Sequence, residues 1–344
     1  MTNIEKIKEL KKALGNELII LAHHYQKDEI INLADFVGDS LKLAQFAQQN
    51  KTAKYIVFCG VYFMSETADI LTDDWQVVIQ PAPMAGCPMA DMATMEEAED
   101  AWNIITSELG ESLIPLTYVN STADVKAFVG RHDGATVTSG NAEKVVKWAY
   151  EQKDIILFLP DENLGRNTAY DLGIPLSHMA TYNPKTKQLD YSCAKEDVKI
   201  VLWKGFCHVH HKITTKHVED VRSIHPDAKI IVHPECQFEI VNIADGKGST
   251  EYLINEVNNA PTGSKFVIGT EHNLVKRLID TNPDKKIYLL DTASVCTNMN
   301  KTSTLNLLEA LEDIQNNNFE KQVKVSEDIA TDAIKSLEKM LSLV

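Results

Sequence analysis

Short apolar runs recur along the chain, and stretches with helical spacing separate them. In the first third, Leu18 to Ala22, Tyr55 to Cys59 and Val77 to Gln80 read as strands. Between them, Asp28 to Phe36, a stretch through Leu41, Ala44 and Ala47, and Ser65 to Leu71 read as helices. Ahead of them, Ile4, Ile7 and Leu10 fall on one side of an amphipathic N-terminal helix. The middle of the chain offers Leu113 to Thr117, Ile155 to Leu159 and Lys199 to Trp203 as strands. There, Val137-Thr138-Ser139 opens a helix with Ala142, Val145, Val146 and Ala149 at helical spacing. The last third repeats the order: strands at Lys229 to Val232, Phe266 to Ile268 and Ile287 to Leu290, and helices through Leu253 and Val257 and from Glu271 to Leu278. The Leu- and Glu-rich tail from Thr304 to Val344 reads as one or two helices that pack back on the body.

This alternation predicts parallel sheets covered by helices. It also repeats in letters. The stretch E-I-I-N-L-A-D-F-V-G-D-S returns as E-I-V-N-I-A-D-G-K-G-S-T, displaced by 210 positions. The same displacement takes His23 to His233 and Ser40 to Thr250, and Cys87 falls within one position of Cys296. The expected fold class is therefore α/β. It has three homologous three-layer α/β/α units with parallel sheets, in pseudo-threefold arrangement around a central active site. The units span about 15–105, 111–215 and 226–303, and 304–344 forms the C-terminal helical segment. The second unit carries an insertion near 165–195, a polar surface excursion. The competing architecture is one large doubly wound domain with accidental internal similarity.

Composition narrows the function. At 344 residues and 44% apolar residues the chain can bury a large core. No run approaches the roughly 20 apolar residues of a membrane span, and the N-terminus lacks the core of a signal peptide, so a cytoplasmic protein is expected. A net charge of −15 argues against a nucleic-acid partner, while leaving room for a small anion held by hydroxyls and helix starts. The six cysteines are widely spaced, so structural disulfides and zinc ribbons are not expected.

Three of these cysteines stand apart. Cys87, Cys207 and Cys296 each follow a strand by a short segment, whereas Cys59 lies within one, Cys193 lies in the excursion and Cys236 is ambiguous. Brought together, three thiolates suit zinc or an iron–sulfur cluster. A cubane cluster usually takes four, so three would leave one iron open for Lewis-acid chemistry. Zinc held by the same thiolates and an imidazole from His208, His210 or His211 is the rival. Strand ends supply His23 and Tyr25, Tyr118 and Asn120, and His233 and Glu235, where parallel sheets bind ligands. Helix starts supply Ser40, Ser139 and Thr250, each an N-cap in its plainest role and an anion contact in its functional one.

The motifs L-A-H-H-Y-Q, A-D-x-x-G-D-S, F-C-G-V-Y-F-M-S-E-T-A, Y-V-N-S-T, V-T-S-G-N-A, G-F-C-H-V-H, H-P-E-C, G-S-T and C-T-N-M-N occur in this order. Together they resemble the quinolinate synthase family of NAD biosynthesis, from about Leu18 to Asn300. The resemblance implies a 4Fe-4S cluster on Cys87, Cys207 and Cys296. It further implies condensation of iminoaspartate with dihydroxyacetone phosphate to quinolinate, phosphate and water. Iminoaspartate contacts carry over to His23, Ser40, Tyr118, Asn120, Ser139, His233, Glu235 and Thr250, and the expected proton-transfer residues are Tyr25, His233 and Glu235. A functional partner would be the L-aspartate oxidase that makes iminoaspartate. Some relatives carry C-x-x-C-x-x-C at the third cysteine; only Cys296 stands there here, so redox switching through that motif is not expected. Outside the family, a zinc-dependent lyase or hydrolase and a small-anion sensor are the alternatives.

Overall fold

A computed structural model describes residues 1–344. The chain forms two compact bodies, Met1–Cys87 with Val295–Glu327 and Pro88–Ser294 with Asp328–Val344. Three mainly parallel sheets lie within them.

The first body holds β1 (Leu18–His23), β2 (Phe36–Gly38), β3 (Tyr55–Cys59) and β4 (Val77–Ile79), in the order β2-β1-β3-β4. A short edge strand, Gln322–Val323, pairs antiparallel to β4. β1 and β3 are buried along their whole length, as expected of a parallel sheet covered on both faces. Ile20, Val57 and Ile79 pack with Leu307, Leu308 and Leu311 of the helix Thr304–Gln315 and with Ile7 of the helix Asn3–Leu14. The latter helix starts on a capping box, with Thr2 Oγ1 accepting the Glu5 N–H at 3.2 Å and Glu5 accepting the Thr2 N–H at 2.7 Å.

In the second body β5 (Leu113–Tyr118), β6 (Ala135–Val137), β7 (Ile155–Leu159), β8 (Met179–Asn183), β9 (Gln188–Tyr191) and β10 (Ile200–Trp203) form one sheet. Its order is β6-β5-β7-β10-β8-β9. A second sheet contains β11 (Lys229–Val232), β12 (Gly246–Lys247), β13 (Lys265–Gly269) and β14 (Lys286–Leu289), in the order β12-β11-β13-β14. All three sheets thus contain the same core order, in which the first strand lies between the second and the third. The connection after the first strand runs to one side and that after the third strand to the other, which makes their adjoining carboxyl ends a topological switch point.

The letter repeat is a repeat of register. Leu21 pairs with Phe36 and Ile231 with Gly246; Ile20 pairs with Val57 and Ile230 with Val267. Each of these correspondences spans 210 positions. The side-chain ties follow. Asp35 Oδ2 accepts the Ile20 N–H at 2.8 Å, and Asp245 Oδ2 accepts that of Ile230 at 2.7 Å. Lys11 binds Asp35 and the Leu33 carbonyl, and Arg222 binds Asp245 and the Ile243 carbonyl.

Several local expectations are corrected. The helix expected over Asp28 to Phe36 covers only Asp28–Ile31, because the Asp35 tie to Ile20 draws the chain back to the sheet and Phe36–Gly38 becomes β2. The helix expected from Ser139 begins at Ala142. The helix Ala123–Arg131 and the strand β6 lie between the first two expected elements of the middle region. The excursion near 165–195 is not confined to the surface. Leu164, Gly165 and Asn167 are buried in the helix Glu162–Asp171, and β8 joins the sheet in parallel to β10. The tail gives two helices, Thr304–Gln315 and Glu327–Ser342, with the unforeseen edge strand between them.

Candidate active site

In the first body the carboxyl end of β1 turns sharply. The Gln26 N–H donates to the His23 carbonyl at 2.9 Å and the Tyr25 N–H to His23 Nδ1 at 3.1 Å. This sets the Tyr25 ring edge-on to the His23 imidazole, with centroids 4.6 Å apart. Both side chains are buried. The third sheet repeats the turn, with Cys236 N–H to the His233 carbonyl at 3.0 Å and Glu235 N–H to His233 Nδ1 at 3.4 Å. One backbone device therefore presents Tyr25 in one sheet and Glu235 in another.

The helix starts differ from the plain capping picture. Asp39 caps the helix Ser40–Gln49 through the Lys42 N–H, and Ser249 caps Thr250–Asn258 through the Tyr252 N–H. Ser40 and Thr250 are the residues after the caps, so capping does not account for their hydroxyls. Ser139 is half-buried in the loop before Ala142–Gln152, where Asn141 Oδ1 accepts both the N–H and the hydroxyl of Thr138 at 2.9 Å. At the end of β5, Tyr118 is buried, and the buried Asn120 Oδ1 has no hydrogen-bond partner.

The densest chemistry lies in the second body, around Glu235. Its Oε2 lies 2.9 Å from His210 Nδ1 and 3.1 Å from His233 Nδ1, and the two imidazoles stack with centroids 4.6 Å apart. All three side chains are buried, and Glu235 Oε1 has no hydrogen-bond partner. Burial opposes ionisation of Glu235, but the His210 and His233 rings outweigh it and hold the carboxyl well below the usual range. Burial, reinforced by His210, lowers the pKa of His233. His210 Nε2 reaches Thr270 Oγ1 at 3.3 Å.

Asp161, two residues past the end of β7, is the opposite case. Burial and the nearby Glu235 charge push its carboxyl well up, against the backbone N–H groups of Leu164, Cys207 and Asn163. Asp161 Oδ1 accepts the Leu164 N–H at 2.6 Å and caps the helix Glu162–Asp171. Two adjacent carboxyl groups are thus driven in opposite directions, a pattern common where protons are moved. Sequence reasoning passed over Asp161, which reads as an ordinary cap. It also left the three histidines after Cys207 undivided. The structure brings His210 to the site: a ring nitrogen of His210, the Cys207 thiol and a Glu235 oxygen lie within 4.8 Å of one another. His211 instead stacks on Phe206 at 4.2 Å and lines a cavity of about 400 Å³ with Arg166 and Gln237.

The thiols fall into two groups. Cys59 and Cys236 are fully buried, and burial pushes the Cys59 thiol up to about 12 and that of Cys236 still higher. Cys87, Cys207 and Cys296 are partly exposed, in loops that follow β4, β10 and β14. Cys193 is partly exposed but packs against the core under β7 and β10. Partial exposure is thus shared by four thiols, and three accessible thiolates are the donor type that suits a thiolate-bound cluster.

Parallel sheets with buried imidazole–carboxylate chemistry and hydroxyl-bearing loops at their carboxyl ends define an α/β enzyme. A family model described as NadA, quinolinate synthetase A protein, matches residues 5–342, and the chain belongs to this family. Relatives named quinolinate synthase include one from Anoxybacillus flavithermus, 53% identical over 98% of this chain and 92% of its own. One from Listeria monocytogenes is 51% identical over 100% of this chain and 95% of its own. A third, from Bacillus cytotoxicus, is 52% identical over 99% and 93% respectively. No helix is long and apolar enough to cross a membrane.

Proposed function

We propose that this chain serves NAD biosynthesis by condensing iminoaspartate with dihydroxyacetone phosphate to give quinolinate, phosphate and water. The observation that carries the reading is the buried His210–Glu235–His233 cluster beside the Cys207 thiol. Cys87, Cys207 and Cys296 would hold a 4Fe-4S cluster, whose remaining iron supplies Lewis acidity toward a substrate heteroatom.

The protein's own groups divide the rest of the work. Ser40, Ser139 and Thr250 hydroxyls, with His23, Tyr118 and Asn120, clamp the two carboxylates of iminoaspartate. Each loss of water or phosphate requires a proton delivered to the departing oxygen and one removed elsewhere. Glu235, held ionised between two imidazoles, is the acceptor. His233 orients it and assists transfer, and Tyr25 stands in the matching turn of the first sheet as donor.

A second reading has one observation in its favour. Cys207, His210 and Glu235 are close enough to bind zinc, which would make the protein a zinc-dependent lyase or hydrolase. Purification without oxygen, with iron, sulfide and zinc assays, separates the two. Brown protein with broad visible absorption that is lost in air, and lost when Cys87, Cys207 and Cys296 are all replaced by Ala but retained in Cys193→Ala, supports the cluster. A colourless zinc protein supports the rival, and a colourless metal-free protein overturns both in favour of an anion sensor.

A further inference from the structure

The mechanism above leaves one buried cation unused. Lys126 lies in the helix Ala123–Arg131 and is fully buried, which is rare for a lysine and demands a reason. Its Nζ donates to the Ser121 carbonyl at 2.5 Å. Ser121 is itself fully buried, and its hydroxyl donates to the Tyr118 carbonyl at 2.8 Å. The ammonium thus grips the far end of the short loop that carries Tyr118 and Asn120.

The C-terminal helix Glu327–Ser342 packs on the backbone of the helix that carries this lysine. Ser336 Oγ donates to the Lys126 carbonyl at 3.1 Å and lies 3.0 Å from Thr136 Oγ1. A Cβ on Gly130 would come within 1.9 Å of the Asp332 carbonyl oxygen, so the helix rests directly on the backbone there. One turn further on, Asn141 Nδ2 donates to the Met340 carbonyl at 3.1 Å while its Oδ1 fixes Thr138, next to Ser139.

We propose that Lys126 is a positioning residue that fixes the Tyr118–Ser121 loop for a dicarboxylate substrate, with the C-terminal helix closing the lysine off from water. The role rests on the carboxylate-binding reading given above. Dicarboxylate binding needs donors held still before the ligand arrives, and a hydrogen bond from a buried lysine to a loop carbonyl does this from inside the protein.

The test uses the full-length protein purified without oxygen, and succinate as an unreactive four-carbon dicarboxylate. In Lys126→Met, amide exchange across Val119 to Thr122 should speed up at least tenfold. The succinate dissociation constant and the KM for iminoaspartate should both rise about tenfold, with kcat within twofold and visible absorption unchanged. A folded variant with unaltered loop exchange and succinate affinity overturns the proposal. Should Lys126→Met not fold, Ser121→Ala removes the next link, and a rise of about threefold in both constants is expected. Unchanged constants in that variant overturn the proposal equally. Amide exchange needs no ligand, so it judges the positioning role even if the wild-type protein makes no quinolinate, an outcome that would instead overturn the proposed reaction.

Discussion

Glu235 is where burial and charge contend most directly. Its two imidazole neighbours hold it ionised despite full burial, so removing its charge removes the acceptor while sparing the shape. Glu235→Gln should lower quinolinate formation by about 10²-fold, within the usual range for a lost general base, with the visible absorption of the anaerobic protein retained. The cysteines make a second prediction at this scale. Iodoacetamide at pH 8, applied to metal-free native protein, should modify Cys87, Cys193, Cys207 and Cys296 and spare Cys59 and Cys236, whose thiols burial keeps protonated. Peptide mass spectrometry reads the pattern, and denaturation should bring all six into reach. His23, Tyr118, His233, Glu235 and the three cysteines were legible as candidates because strand ends and the repeat mark their positions. His210 and Asp161 were not. Three histidines in four residues look alike until the backbone turns one of them inward, and a buried aspartate after Pro160 is indistinguishable from a cap until its neighbour Glu235 is known.

Elements were legible where an apolar run was long and fully buried, as in β1, β5 and β7. They were missed where three residues or fewer complete a sheet edge, as in β2, β6 and β12, and where polar residues interrupt the strands, as in β8 and β9. At such edges pairing is decided by ties such as Asp35 to Ile20, not by local periodicity. The matching tie in the third sheet titrates. Arg222 lowers the Asp245 pKa, and the Ile230 N–H adds to the effect against partial burial. A carboxyl whose pKa is depressed on folding contributes stability above its unfolded value, about 3.9, and loses it as pH falls through the folded value. The urea midpoint gap between wild type and Asp245→Asn should therefore be constant near neutrality and close progressively below about pH 4. The C-terminal helix offers a steric prediction. Gly130→Ala should destabilise by about 1–3 kcal/mol, because the new methyl meets the Asp332 backbone carbonyl, and thermal melting measures it.

At the scale of the whole molecule, the repeat was readable because its register is kept to the residue across 210 positions. A helical tail that returns, one helix in each body, leaves no mark in composition. Metal binding belongs to this scale too. A bound cluster stabilises only the folded state, so protein loaded with iron and sulfide should melt several degrees above its metal-free form in differential scanning calorimetry under nitrogen.

The first body is built from two separated stretches of chain, which end at Cys87 and resume at Val295. Cys87 and Cys296 therefore stand at the points where the chain leaves that body and comes back. An inorganic link between them would hold closed, in the folded state, a loop of about two hundred residues whose closure costs about 5 kcal/mol of chain entropy on the scale used for cross-links. On that account the proposed cluster would also be a topological clasp. Losing it in air would remove the tie that holds this loop closed along with the proposed chemistry, and folding without iron and sulfide would have to close that loop on side-chain packing alone.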